Sequence, residues 1–304
     1  MTTSAVHVEG LRKSFGRHLV LDQVDLDVEK GEVFALLGPN GAGKTTVINI
    51  LTTLISPDAG TVRVAGFDAR TQPDEVRRRI TLTGQAAAVD EGLTATENVI
   101  MFARLAGMGR TAAARCATEL IARFDLVESA GRLVRTFSGG MRRRLDLALS
   151  LVIAPEVLFL DEPTTGLDTR SRRALWDIIR TLAAAGTTVF LTTQYLEEAD
   201  QLADRIAVLH EGRIVARGTT AALKARIGGD TVELHDADGE LLQAIPTDGS
   251  VSGLRQALDV LDERDADGVV TLRRPSLDDV FLSLTSPTPA GAQLAARPAL
   301  EEIA

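Results

Sequence analysis

The chain has 304 residues, of which 45% are hydrophobic and 25% charged, enough to bury one large core or two smaller ones. Its net charge of −9 is uneven, because residues 1–227 carry +1 and residues 228–304 carry −10. Phosphate contacts need cations, so the acidic C-terminal quarter excludes nucleic acid as its partner. No apolar run reaches the length of a membrane-spanning helix, and we expect work at a membrane only by docking onto another protein. The single cysteine, Cys116, favours a reducing compartment.

The predicted elements begin with two alternating stretches, VHVEGLRKSFG and VLDQVDLDVEKG, which are typical of antiparallel strands. The wholly apolar run EVFALLG predicts a buried strand. Helical spacing prevails between about residues 96 and 154 and predicts a helical insertion. The strands VLFLDEP, TTVFLTT and RIAVLH then alternate with helices, which predicts a mainly parallel sheet covered by helices on both faces.

The fall in charge and the pair Gly228-Gly229 predict a domain boundary, so residues 1–227 form the first domain. Residues 228–285 then form a small α+β domain that ends in the helix PSLDDVFLSLT, with Ser276 as its N-cap. The Ala- and Pro-rich residues 286–304 are expected to be disordered.

A phosphate-binding loop follows the first buried strand, where GPNGAGKT fits the pattern G-x-x-x-x-G-K-[ST] between a strand and a helix. Glycines let the backbone amides close around a phosphate, and the helix N-terminus adds partial positive charge. Lys44 can reach the β and γ phosphates, and the Thr45 hydroxyl can ligate Mg²⁺. No guanine-reading N-K-x-D motif occurs, which favours ATP. The candidate nucleotide-binding residues here are Gly38, Pro39, Asn40, Gly41, Ala42, Gly43, Lys44, Thr45 and Thr46.

Two acids end the apolar strand VLFLDEP. Asp161 is placed to hold Mg²⁺, and Glu162 to polarise the attacking water as a general base. The alternative is a strand whose last acids only face solvent. That alternative is weakened by the phosphate loop earlier in the chain.

A second candidate anion site lies at the start of the helix in FSGGMRRRLDLALSLVIA. Ser138 is a good N-cap, and Gly139 and Gly140 leave the first amides of the helix accessible. A plain helix cap would explain the serine but not two consecutive glycines.

These three motifs, in this order, resemble those of the ATP-binding cassette (ABC) ATPases over residues 1 to about 225. The resemblance implies a P-loop NTPase core with an antiparallel β subdomain and a helical subdomain, followed here by the small α+β accessory domain. It also implies a head-to-tail dimer with a second copy of the chain. Ser138, Gly139 and Gly140 would then contact the γ phosphate held by the partner, with Met141 where glutamine is common.

The same resemblance assigns further residues. Phe15 would stack on adenine, with ordinary core packing as the alternative. Gln85 would sense Mg²⁺ and water and face the membrane subunit, and Asp168 would lie in the loop that crosses to the partner. Gln194 stands where the family usually has a switch histidine. Glutamine can donate to the γ phosphate but cannot become a cation, so either it is a neutral sensor or hydrolysis is weakened.

The segments TTQYLEEADQLADRI and TGQAAAVDEGLTATEN also resemble the daunorubicin/doxorubicin-resistance branch of drug exporters. That implies an ATPase using ATP and Mg²⁺, docked on an integral membrane permease at the cytoplasmic face of the cell membrane. The catalytic residues would be Glu162, Gln194 and Lys44, and the metal ligands Thr45, Gln85 and Asp161. Lipid or polysaccharide export, a non-transport ABC ATPase and an ATP-switched assembly module stay open as alternatives.

Overall fold

The computed structural model describes residues 4–84, 88–236, 238–262 and 268–285. The chain divides into two compact units, Met1–Arg217 and Gly218–Ala304. The division falls before the predicted boundary at residue 228, because the short helix α8 (Thr220–Ala225) packs against the last helix, α10 (Leu277–Thr285). The predicted disordered tail, 286–304, lies outside the described residues.

A four-stranded antiparallel sheet opens the first unit, with the strand order β2-β1-β4-β5. The alternation noted in the sequence is real, since Val6, Val8 and Leu11 of β1 are buried and the residues between them are not all buried. The strands are β1 (Ser4–Phe15), β2 (His18–Glu29), β4 (Ala59–Val64) and β5 (Phe67–Asp68).

The second sheet has six strands in the order β10-β9-β3-β8-β7-β6. Its three central strands are buried at every position, as expected for parallel strands covered on both faces. β3 pairs in parallel with β8 and β9, and β7 with β6 and β8, so their carboxyl ends share one edge of the sheet. The strands are β3 (Val33–Leu37), β6 (Ile80–Thr83), β7 (Val157–Asp161), β8 (Thr188–Thr193), β9 (Arg205–His210) and β10 (Arg213–Gly218).

Helices connect these strands, and the predicted insertion between about 96 and 154 contains three of them. One begins with a capping box in which Thr94 and Glu97 bond each other's backbone amide. No helix in the described part of the chain is long and apolar enough to cross a membrane. The helices are α1 (Lys44–Leu51), α2 (Pro73–Arg77), α3 (Ala95–Leu105), α4 (Arg110–Arg123), α5 (Gly139–Ser150), α6 (Thr169–Ala184) and α7 (Leu196–Leu202).

The core of the first unit draws on both sheets and on α1. Its centre contains Phe190, whose ring centroid lies 5.4 Å from that of Phe34 and 5.6 Å from that of Phe159. These rings come from three adjacent strands, β8, β3 and β7, and they fix the register of the strands that end at the site.

The second unit is a three-stranded antiparallel sheet, β12-β11-β13, packed against one helix. The sequence predicts two of these strands but not the third, LLQAIPT, because it contains Pro246. β12 is an edge strand, where a proline is tolerated. Ser276 caps α10 as predicted, since its hydroxyl accepts from the amide of Asp279. The remaining elements are β11 (Asp230–His235), β12 (Leu241–Thr247), α9 (Val251–Asp262) and β13 (Val269–Arg273).

Candidate active site

The predicted phosphate loop joins the end of β3 to the start of α1. Gly41 and Gly43 have φ angles of +82° and +108°, which residues with side chains rarely adopt. A Cβ on Gly43 would lie 2.7 Å from Cδ2 of Leu21, and one on Gly38 would lie 2.4 Å from the carbonyl oxygen of Leu209. The glycines are therefore needed for both curvature and space.

A cavity of about 300 Å³ opens over this loop. Six of the eight described residues that line it are candidate nucleotide-binding residues of this loop, and Ala42 instead faces the core, where it is 5% exposed. Val20 of β2 also lines the cavity and was missed, because an apolar residue in a strand carries no distinctive signal. The lining residues are Val20, Asn40, Gly41, Gly43, Lys44, Thr45, Thr46 and Glu162.

Lys44 is the buried cation of this cavity and is only 4% exposed. Its Nζ donates to the carbonyl oxygens of Gly38 (2.8 Å) and Pro39 (3.1 Å), which hold the side chain back over its own loop. It also lies 3.2 Å from Oε1 of Glu162. The cation predicted to bind phosphate and the candidate general base are therefore direct neighbours.

Asp161 ends β7 beside the start of α1. The Thr45 hydroxyl lies 3.2 Å from Oδ2 of Asp161, and both are oxygen donors of the kind that Mg²⁺ prefers. A hydroxyl that was not predicted orients the carboxylate, since Thr192 Oγ1 of the adjacent strand β8 donates to Asp161 Oδ1 at 2.6 Å. The donor set fits a magnesium ion.

Glu162 has a φ angle of +47°, an unfavourable conformation for a residue with a side chain. Its amide donates to the carbonyl oxygen and to the hydroxyl of Thr192, each at 3.1 Å. Thr192 thus contacts both acids, donating to one and accepting from the other. The carboxylate of Glu162 is directed into the cavity, so the alternative of acids that merely face solvent is wrong.

Gln194 follows β8 directly, at the same edge of the sheet. The amide of Gly38 donates to the carbonyl oxygen of Thr193 at 3.2 Å, so the residue before Gln194 is joined to the first residue of the phosphate loop. Gln194 is half-buried. This position is compatible with a contact to phosphate at the loop.

A buried carboxyl that the sequence did not indicate lies on α7, the helix that follows Gln194 in the chain. Glu198 of α7 is 0% exposed, and its Oε1 accepts from Trp176 Nε1 at 3.2 Å. Burial raises the pKa of Glu198, and the bond from Trp176 opposes that shift only in part.

The start of α5 has the predicted cap, because the Ser138 hydroxyl accepts from the amide of Met141 at 3.3 Å. The two glycines that follow differ. A Cβ on Gly139 would meet nothing closer than 3.9 Å, whereas one on Gly140 would lie 2.3 Å from Oγ and 2.7 Å from Cβ of Ser171. Gly140 is therefore required for the approach of α5 to α6, a packing reason that the sequence does not reveal.

Asp168 caps α6, where its Oδ1 accepts from the amide of Ser171 at 2.7 Å. This bond holds the pKa of Asp168 below its ordinary value. Phe15 is 51% exposed, so its alternative role in the core is wrong, and Lys13 Nζ lies 5.4 Å from its ring centroid. Gln85 lies outside the described residues.

A second cavity, of about 380 Å³, is a mainly apolar groove between β6, α3 and α5. It is bounded by Ala88, just after the undescribed residues 85–87. Among the described residues that line it, Asp146 is the one acidic residue. The others are Thr81, Leu82, Thr83, Phe102, Leu105, Ala106, Leu149, Ser150, Val152 and Ile153.

The sequence pattern of the family described as ABC transporter matches residues 21–165. The chain is 49% identical to the daunorubicin/doxorubicin resistance ATP-binding protein DrrA of Streptomyces peucetius, over 93% of each chain. It is 38% identical to the Nod factor export ATP-binding protein I of Burkholderia orbicola, over 94% of this chain and 98% of that protein. The chain therefore belongs to the ABC transporter family of ATP-binding cassettes.

Within the family it is an ATP-binding subunit homologous to the drug-resistance ATP-binding proteins. The fold agrees. A solved ATP-binding subunit of an ABC transporter is 28% identical with a TM-score of 0.65, over 73% of this chain and 92% of that one. A dimeric post-hydrolysis cassette bound to ADP and Pi is 26% identical with a TM-score of 0.63, over 70% and 98%. The predicted P-loop NTPase fold is confirmed.

Proposed function

We propose that this chain hydrolyses ATP as the energy-supplying subunit of an exporter whose membrane-spanning part is a separate protein. The observation that carries the proposal is the meeting of two strand-end acids with the phosphate loop. Thr45 lies 3.2 Å from Asp161, and Lys44 lies 3.2 Å from Glu162. Phosphoryl transfer needs this combination of phosphate cradle, metal ligands and water-orienting base.

Each residue has a defined role in this proposal. Thr45 and Asp161 hold Mg²⁺, which when bound neutralises charge on the β and γ phosphates. Lys44 binds the same phosphates. When its ammonium group pairs with a phosphate oxygen instead of Glu162, the Glu162 carboxylate is free to accept a proton from the attacking water. The Gln194 amide donates to a γ-phosphate oxygen as a neutral sensor, and Gln85 would be the further metal and water contact.

The proposed site is completed by a second copy of the chain. Ser138, Gly139 and the first amides of α5 would bind the γ phosphate held by the partner's loop. The open space around Gly139 supports close approach of a ligand. Exposed Phe15 would stack on adenine, and Asp168, at the head of α6, would lie at the junction between the two copies.

The apolar groove between β6, α3 and α5 would receive the membrane subunit, and this docking would hold the chain at the cytoplasmic face of the membrane. Its lining includes Phe102, Leu105 and Ile153, and Leu105 is 79% exposed. Such exposure on a concave surface supports a protein partner. Residues 228–285 would form an accessory domain that supports assembly.

For the exported substrate we propose a drug-like or antibiotic-like molecule. The 49% identity to a daunorubicin/doxorubicin resistance protein supports this class over the Nod factor class, for which the identity is 38%. A Nod factor exporter is the second candidate, because the chain is 38% identical to a Nod factor export ATP-binding protein, and lipid or polysaccharide export stays open as well.

The test is phosphate release from the full chain and from Glu162→Gln, measured with and without the membrane protein on which the chain is proposed to dock. We expect the parent to exceed Glu162→Gln by at least about a hundredfold, because the variant keeps ATP binding but loses the base. Equal release from both chains in the presence of the membrane protein would leave an ATP-switched binding module as the function.

A further inference from the structure

Arg143 and Asp146 form a buried ion pair on α5. Arg143 Nη1 lies 3.2 Å from Asp146 Oδ2, and the two side chains are only 10% and 4% exposed. Burial lowers the pKa of Arg143 and raises that of Asp146. Because desolvation opposes both charges, a buried pair of this kind is a poor source of stability. Its presence calls for another explanation.

The contacts of the guanidinium beyond its own helix supply that explanation. Arg143 Nε donates to the carbonyl oxygen of Pro163 at 2.8 Å, and Nη1 donates to the carbonyl oxygen of Gly84 at 2.7 Å. Pro163 directly follows Glu162, the proposed general base. One side chain therefore joins α5 to the end of β7 and to the end of β6.

The carboxylate completes the arrangement from the other side. Asp146 Oδ1 accepts from the amide of Ala88 at 2.8 Å. Gly84 and Ala88 are the two described residues that flank 85–87, so the pair bonds the backbone on both sides of that segment. Asp146 also lines the apolar groove proposed to receive the membrane subunit.

We propose that Arg143 and Asp146 are positioning residues that connect the apolar groove to Glu162. They fix the backbone at Gly84, Ala88 and Pro163 relative to α5, so a displacement of the groove wall also moves the general base. This inference deepens the proposed function and rests on it. The guanidinium suits the task because its planar fork of donors can bond several carbonyl oxygens at once, whereas a lysine is a single point charge.

A purely structural role predicts a different behaviour on substitution. Removing one partner of a buried pair strands the other charge and destabilises the fold, whereas replacing both by apolar residues of similar size is often neutral. The double variant Arg143→Met/Asp146→Leu therefore separates stability from positioning. It leaves no unpaired charge in the interior, but it provides no donor for the carbonyl oxygens of Gly84 and Pro163 and no acceptor for the amide of Ala88.

The experiment compares the full-length parent, Arg143→Lys, Arg143→Met and the double variant. Three quantities are measured: the melting temperature, kcat and KM for ATP, and amide hydrogen exchange of peptides that cover residues 81–94. Arg78→Met is the matched control, because Arg78 makes an exposed ion pair with Glu75, with side chains 71% and 36% exposed.

We expect the double variant to have a melting temperature close to that of the parent. Its kcat should still be lower than the parent's by roughly tenfold or more, because small misplacements of reacting groups slow catalysis strongly. KM for ATP should stay within about twofold, because the phosphate loop is untouched. Exchange at Ala88 should be faster in Arg143→Met and in the double variant, and Arg143→Lys should fall between them and the parent.

Recovery of both melting temperature and kcat in the double variant would overturn the proposal, as would unchanged exchange at Ala88. A change in KM alone would overturn it as well. If the parent releases no more phosphate than Glu162→Gln, the proposed function fails instead. The exchange measurement then decides the inference by itself, because it needs no turnover.

Discussion

At the scale of single residues, one hydroxyl organises the acidic end of β7. Thr192 Oγ1 donates to Asp161 at 2.6 Å and accepts from the amide of Glu162 at 3.1 Å. The second bond helps to hold Glu162 at its positive φ angle of +47°. The proposed metal ligand and the proposed general base are thus oriented by a residue that, in the proposed mechanism, touches neither phosphate nor water.

We therefore expect Thr192→Val, which keeps the shape but loses the hydroxyl, to lower turnover by about 10–100-fold, the usual effect of losing such a supporting contact. The Mg²⁺ concentration for half-maximal activity should rise as well. Thr192→Ser restores the hydroxyl and should recover most of the activity. Steady-state phosphate release against Mg²⁺ concentration measures both effects, and equal activity of the Val and Ser variants would contradict the expectation.

Glu198 gives a prediction about pH. Its folded-state pKa is raised above the ordinary 4.5 by burial, so the folded chain binds this proton more tightly than the unfolded chain. The contribution of Glu198 to stability is therefore full below 4.5 and is lost as pH rises through the raised pKa. Glu198→Gln removes this loss, and its melting temperature relative to the parent should increase between pH 4.5 and pH 8.

Thermal unfolding of both chains across that range measures the difference. Glu197→Gln is the matched control, because Glu197 is the adjacent glutamate and its side chain is 60% exposed. A constant difference between Glu198→Gln and the parent would show that the buried carboxyl keeps its ordinary pKa.

At the scale of elements, the two glycines that begin α5 have separable roles. Gly140→Ala places a methyl group against Ser171 of α6 and should cost about 1–3 kcal/mol of stability, the usual effect of overpacking. Gly139→Ala finds open space and should melt as the parent does, so a loss of turnover in that variant reports the proposed contact with the partner's phosphate. Adding Ser171→Gly should recover the stability of Gly140→Ala, as measured by urea unfolding.

The same helix shows how far the sequence could predict the structure. Local signals were sufficient for the phosphate loop, for Ser138 as a cap and for the acids that end β7, because each depends on neighbouring residues in the chain. The packing contact of Gly140 and the hydrogen bonds from Thr192 and Arg143 connect segments that are distant in the sequence. No local sequence pattern therefore indicates them. The sequence does not predict β12, because Pro246 argues against a strand unless that strand is known to lie at the edge of a sheet.

At the scale of the whole molecule, the phosphate loop and the Ser138 helix start belong to one chain but, in the proposed mechanism, to two different sites. In that mechanism a single copy would bind ATP through its own loop, whereas closure of the site would need the helix start of a partner. A solved relative of this fold is a dimer bound to ADP and Pi, which agrees with that arrangement. Turnover should then rise more than in proportion to protein concentration while dimers form.

The dimer itself can be trapped and tested. Glu162→Gln retains Lys44 and Thr45, so it should bind ATP without hydrolysing it and sediment as a dimer when ATP and Mg²⁺ are present. Adding Ser138→Arg places a bulky side chain where the partner's phosphate would lie, and this variant should bind ATP but sediment as a monomer. Sedimentation velocity with a fluorescent ATP analogue measures assembly and binding together. A dimer that survives Ser138→Arg would show that the helix start lies away from the shared site, and the two-copy arrangement would have to be abandoned.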